Sequence, residues 1–130
     1  MADEFDIIDL VFAAVESADT GLVLYKDYSA TGEKNDHITV RTTGMETKEY
    51  VNKASVVNVN VFIRRRDNNG MAYRDVMRNA KRKLITSFKS ISHPAGMYFR
   101  AKVVWAEPMG EAKAGFDCTN IRLEVITELN

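Results

Sequence analysis

One thiol and two imidazoles make up the nucleophilic and metal-binding material of this sequence: Cys118, His37 and His93. A thiolate nucleophile needs a nearby base or a helix N-terminus to lower its pKa. Cys118 follows Phe116-Asp117 with no histidine close in sequence, so it reads as a small semi-buried residue. His37 precedes a strand-like run and His93 precedes Pro94, and both read as surface or turn residues. Two histidines are too few for an ordinary zinc or iron site. Asp67-Asn68-Asn69-Gly70 has the look of a calcium loop, but the remaining ligand positions and the terminal glutamate are missing, leaving a turn. Asp3, Glu4, Asp6, Asp9 and Glu16 lack a second ligand cluster and read as a solvated face. No phosphate-binding glycine loop, dinucleotide fingerprint or nucleophile elbow occurs. The expectation is a protein without catalysis, cofactor or metal.

Charge distribution is more informative. The whole chain is neutral, with 18 basic and 18 acidic residues, which argues against a dedicated nucleic-acid binder. Yet residues 1–36 hold nine acids against two bases, a net of −7, and residues 64–89 hold nine bases against two acids, a net of +7. Three readings are open. The basic face neutralises the acidic helix of its own subunit, or it meets a neighbour's acidic face, or it contacts phosphates. Unlike surfaces in contact make a heterologous interface, which closes into a ring when the rotation permits. The candidate interface set is Asp6, Asp9 and Glu16 on one side, with Arg64, Arg66, Arg74, Arg78, Arg82 and Ile85 on the other. Ile85 falls inside the basic arc of its helix, so a partner is the simplest thing to bury it. Single-strand binding would call for exposed aromatic platforms beside the arginines. Tyr73 and Phe88 fall on the core arc instead.

The elements that position these residues follow from periodicity. A length of 130 residues, 45% hydrophobic and 28% charged, suits one globular domain spanning 1–130. A single cysteine excludes an internal disulfide framework and fits a reducing compartment. No run approaches the roughly 18 apolar residues of a membrane helix, and the acidic start lacks a secretory pattern. Ile7, Ile8, Val11, Phe12 and Val15 share one side of a helix over 4–18, ended by glycine at Gly21. Leu22 to Tyr28 and His37 to Thr43 read as strands, and residues 44–53 show no period. Ala54 to Arg66 is the clearest strand, with Val57, Val59, Val61 and Ile63 on one face. Met71 to Lys89 is an amphipathic helix with Ala80, Leu84 and Phe88 inward and Arg74, Arg78 and Arg82 outward. Met97 to Ala106 alternates Phe99, Ala101, Val103 and Trp105 against Arg100 and Lys102. Glu107 to Gly115 reads as a loop, and Thr119 to Leu129 as the last strand. The order α-β-β-β-α-β-β predicts an α+β fold, with an antiparallel or mixed sheet and helices on one face.

Two segments carry a resemblance. Val57-Asn58-Val59-Asn60-Val61-Phe62-Ile63-Arg64, followed by Tyr73-Arg74-Asp75-Val76-Met77-Arg78-Asn79-Ala80, resembles the central strand–helix unit of tail terminator and tail completion proteins of long-tailed bacteriophages. The final pair, 97–107 and 117–127, is similar to that family's closing hairpin. The ten polar residues or so between the second and third strands depart from its more compact forms. The resemblance implies a structural protein of a phage or prophage, whose copies form a ring, usually a hexamer, at the head-proximal end of the tail tube. Such a ring halts tube growth and receives the head connector, without catalysis or cofactor. Its partners would be itself, the tail tube and the head-connector proteins, with no membrane and nucleic acid at most transiently. Its place would be the virion tail, assembled in the bacterial cytoplasm. The alternative is a small nucleic-acid-binding module using the Arg64–Lys89 surface.

Overall fold

The computed structural model describes residues 4–27, 32, 34–42, 45–47, 51–64, 71–89, 91, 99–113 and 115–128. Alternating Val57, Val59, Val61 and Ile63 lie in the central strand, Val51–Arg64, and all four are fully buried. A β-branched run of period two fits a pleated surface whose one face is covered. In chain order the elements are α1 (Glu4–Ser17), β1 (Val23–Lys26), β2 (His37–Thr42), β3 (Met45–Thr47), β4 (Val51–Arg64), α2 (Met71–Phe88), β5 (Phe99–Lys113) and β6 (Phe116–Glu128). The fold is α+β, and its order is the one read from periodicity, with the three-residue β3 added. The sheet runs β1-β2-β4-β6-β5, with β3 paired to the start of β4. β1 and β2 are parallel and every other pair is antiparallel, so the sheet is mixed.

Both helices pack on the face that carries Val57 to Ile63. α1 contributes Ile7, Ile8, Val11 and Val15, and α2 contributes Ala80, Leu84 and Phe88. Ile38 and Val40 of β2 and Ile121, Leu123 and Val125 of β6 complete this core. Tight α2 packing joins the two layers, and deleting one such side chain costs about 2–5 kcal/mol.

Three boundaries and one side-chain face differ from the sequence reading. β3 pairs antiparallel with the start of β4 (Met45 opposite Ala54, Thr47 opposite Asn52), and the polar residues there give no hydrophobic period. Residues 107–113 are strand rather than loop. β5 is an edge strand, where a proline removes no ladder bond that the sheet needs, and register shifts at Pro108/Gly110 and Gly110/Lys113 absorb the breakers. The chain then reverses through a turn at Gly115, with φ of +83°. Third, α1 ends at Ser17, and the first left-handed residue after it is Asp19 (φ +53°), ahead of Gly21 (φ +78°). Fourth, Trp105 leaves the face it was expected to share with Ala101 and Val103. Those two lie opposite Val125 and Leu123 on the helix side, whereas an extra residue, Val104, sets Trp105 opposite Arg122 on the other face.

Candidate functional site

Arg74, Arg78 and Arg82 stand four residues apart on α2, so they form one row rising about 6 Å per step. All three are exposed, and none makes an ion pair among the described residues. Asp75 is the one acid on this helix. Of the acidic set on α1, Glu16 is likewise exposed and without an ion pair among the described residues. Asp9 is used differently: its Oδ1 accepts from Lys26 Nζ of β1 at 2.8 Å, and the same ammonium sits 5.0 Å from the Phe12 ring centroid. Asp6 lies in α1, but its side chain is outside the described residues.

The two helices of a subunit are joined by polar contacts other than carboxylate–arginine pairs. Lys83 Nζ donates to the Asp19 carbonyl at 3.1 Å, and Ser87 Oγ donates to the Ala14 carbonyl at 2.6 Å. A helix carries partial negative charge at its C-terminus, so a lysine on the Asp19 carbonyl just past α1 and a hydroxyl on the Ala14 carbonyl of its last turn suit that end. Beside these contacts Ser17, Ala18, Arg82 and Thr86 border a shallow groove of about 490 Å³.

The other expected interface residues scatter. Arg64 ends β4 with its backbone N–H donating to Asp36 Oδ1 at 2.8 Å. Its side chain follows buried Ile63 and so points to the face away from the helices. Arg66 lies outside the described residues, as do Asp3, His93 and the turn at 67–70. Ile85 corrects the expectation that a partner buries it: it is partly buried and packs against its own subunit's core. The physical reason is its position next to Leu84, on the flank of the Ala80–Leu84–Phe88 line that packs into the core.

The helix-free face was not legible from the sequence. His37, read as a surface residue, is fully buried. It stacks on Phe62 (centroids 4.7 Å apart, 18° between planes) and meets Tyr25 and Phe116 edge-on at 5.9 and 5.1 Å. Cross-strand placement explains this, since His37 lies opposite Phe62 and beside Val23 in the ladder. Cys118 is buried next to this cluster, opposite Phe62. Burial pushes its thiol up to about 11, the reverse of an activated nucleophile.

Farther along the same face, Asn120 is the hub of a polar network. Its Oδ1 accepts from Trp105 Nε1 (3.1 Å) and Arg122 Nε (3.0 Å). Its Nδ2 donates to Asn58 Oδ1 (3.1 Å) and Asn60 Oδ1 (2.7 Å). Arg122 also lies over the Trp105 ring, 4.0 Å from its centroid. The alternation of asparagine with valine in β4 signals a polar face but gives no sign of this hub. Among the described residues no group of three or more His, Cys, Asp or Glu is placed to hold a metal. No described helix is long and apolar enough to cross a membrane.

No protein-family model matches the chain, and no curated protein matches it. The geometry of the charged surfaces therefore carries the functional argument.

Proposed function

We propose that the protein is a structural component of a phage or prophage tail that assembles as a homo-oligomeric ring, in the manner of tail terminators, capping the tube and receiving the head connector. One observation carries this reading: α1 and α2 are neighbours in one subunit, yet among the described residues their opposite charges do not pair within it. Asp9 is taken by Lys26, Lys83 and Ser87 are spent on the Asp19 and Ala14 carbonyls at the end of α1, and Glu16 and the arginine row face outward. Unlike surfaces left outward are what a heterologous interface uses, and repeating it around an axis gives a closed ring. The α+β layout and the strand–helix unit of β4 and α2 are consistent with the resemblance. No enzymatic role, cofactor or membrane is part of the proposal, and the site of action is the virion tail after assembly in the bacterial cytoplasm.

Charge in such an interface sets register and encounter rate more than affinity, because exposed ion pairs contribute only about 0–1 kcal/mol each. The test is light scattering and tail-tube binding of the wild type and of an Arg78→Glu/Arg82→Glu variant, with circular dichroism to confirm folding. A defined ring in the wild type that weakens in the variant supports the reading. A wild type that neither forms a ring at high concentration nor binds tail tubes overturns it. Nucleic-acid binding through the same row is the competing reading, since three arginines in line could track phosphates. It lacks a described aromatic platform beside that row, with Phe88 in the core. A monomer whose DNA or RNA affinity falls steeply with salt would favour it.

A further inference from the structure

β5 is the last strand of the sheet, and no described strand pairs with its outer edge. A free edge offers N–H and C=O groups to another strand. Three of the four exposed large hydrophobic residues among those described lie on β5: Val104 (49% exposed), Trp105 (43%) and Met109 (46%). Trp105 is also held rigid, by its bond to Asn120 and by the Arg122 guanidinium over its ring. An aromatic side chain fixed before binding loses little entropy on association, and tryptophan with arginine is typical of interface anchors.

We propose that the Arg100–Glu107 stretch of β5 pairs antiparallel with the same stretch of a second copy, about a two-fold axis between Val103 and Val104. The charges select this register. Arg100 stands opposite Ile126, and Glu107 opposite Asn120, so neither meets an opposite charge across its own ladder. Both are exposed and make no ion pair among the described residues. The two-fold sets Arg100 opposite the partner's Glu107 and Glu107 opposite the partner's Arg100. It also sets Lys102 opposite the partner's Trp105, a cation beside an aromatic ring. Small Ala101 meets the partner's Ala106 on the helix side.

The bulge makes this register possible. Paired residues in a sheet must project from the same face, and in a regular strand residues 100 and 107 project from opposite faces. Val104 is the extra residue that changes the phase. Arg100 and Lys102 share the helix-free face before it, opposite Ile126 and Glu124, and Trp105 and Glu107 share that face after it, opposite Arg122 and Asn120. Pro108 offers no N–H, and two further register shifts follow it, so the edge beyond Glu107 is blunted. The pairable stretch is thus centred on the axis. Self-pairing consumes the outer β5 edge of each copy, and a two-fold contact through this one surface closes at two copies. This contact is separate from the α2 arginine row and does not rest on the ring reading.

Trp105 is the chain's only tryptophan, so its emission reports on this edge directly. The experiment follows Trp105 emission and sedimentation of the full chain over a dilution series, for the wild type and for Arg100→Glu, Glu107→Arg and the double exchange. Pairing gives a blue shift and a doubled mass with rising concentration. Each single reversal places like charges opposite one another at two symmetric positions and should weaken pairing by about tenfold or more, and the double exchange should restore it. Arg78→Glu, which addresses the ring, should leave the emission change intact. Emission that does not change with concentration overturns the proposal, as do single reversals without effect or a double exchange that fails to rescue. So does a Trp105 response to single-stranded oligonucleotides in a chain that stays monomeric.

Discussion

The indole of Trp105 donates its N–H across the sheet to Asn120 Oδ1 at 3.1 Å, and Asn120 is itself 95% buried. All four hydrogen-bonding positions of that amide are filled: two donors reach Asn58 and Asn60, and two acceptor sites receive Trp105 and Arg122. A buried amide of this kind is stabilising only while its partners are present. Asn120→Ala removes four bonds at once and leaves the Asn58 and Asn60 oxygens half-buried. It should lower unfolding free energy by about 1–3 kcal/mol in urea titration, and loosen the Trp105 ring, seen as lower fluorescence anisotropy. A variant with wild-type stability and a rigid indole would show that the network is incidental.

The core of the sheet makes a second, sharper prediction. Val59 and Leu84 are both fully buried, one on β4 and one on the helix that covers it. Val59→Asp places a charge in that layer and should unfold the protein or cost several kcal/mol. Leu84→Ala should cost about 2–5 kcal/mol, and the spread reflects how far α2 can settle onto the sheet. Arg82→Ala, one turn along the exposed side, should change stability by less than about 0.5 kcal/mol. Denaturant midpoints of the three variants check the order.

The helix layer was legible because its periods are long and its faces clean. Ile7 to Val15 and Ala80 to Phe88 repeat at helical spacing, and Val57 to Ile63 at strand spacing, so the buried residues fell where the spacing put them. The opposite face was not legible. One inserted residue, Val104, reverses the side on which Trp105 emerges, and alternation alone cannot see a bulge. His37 was misread because its burial comes from Tyr25, Phe62 and Phe116, which only strand pairing brings together. The basic arc was visible as charge, but its use was not. Lys83 holds the Asp19 carbonyl just past α1 and Ile85 joins the core, while Arg74, Arg78 and Arg82 stay outward.

Ser87 offers a local test of the contact between the helices. Its hydroxyl reaches the Ala14 carbonyl at 2.6 Å, and that carbonyl also accepts from the Ala18 N–H at 3.1 Å. Ser87→Ala leaves the helical bond and removes the second, so a loss of about 0.5–1.5 kcal/mol is expected. Hydrogen exchange should rise at the C-terminal turn of α1 and remain unchanged in β4. Faster exchange throughout the sheet would instead mean that α1 and the sheet open as one unit.

Cys118 predicts a pH dependence whose sign is fixed by burial. Its ordinary value is 9.0, and desolvation raises it to about 11 in the folded chain. Below pH 9 the thiol is protonated in both folded and unfolded states, so it contributes no slope. Between pH 9 and 11 the unfolded chain releases a proton that the folded chain retains, which favours unfolding, so stability falls as pH rises. Above pH 11 both states are ionised and the loss stops growing. The total should be on the order of 1–2 kcal/mol, allowing for some solvent screening of the site. Lysines and tyrosines titrate over the same range, so the measurement is the difference between the wild type and Cys118→Ala in urea titrations at several pH values. The wild type should lose stability relative to the alanine variant across this window only. Thiol-specific reagents at neutral pH should label native Cys118 far more slowly than the unfolded chain, because the neutral, buried sulfur is neither nucleophilic nor reachable. Rapid labelling of the native protein, or parallel pH profiles for the two chains, would show that Cys118 is open to solvent.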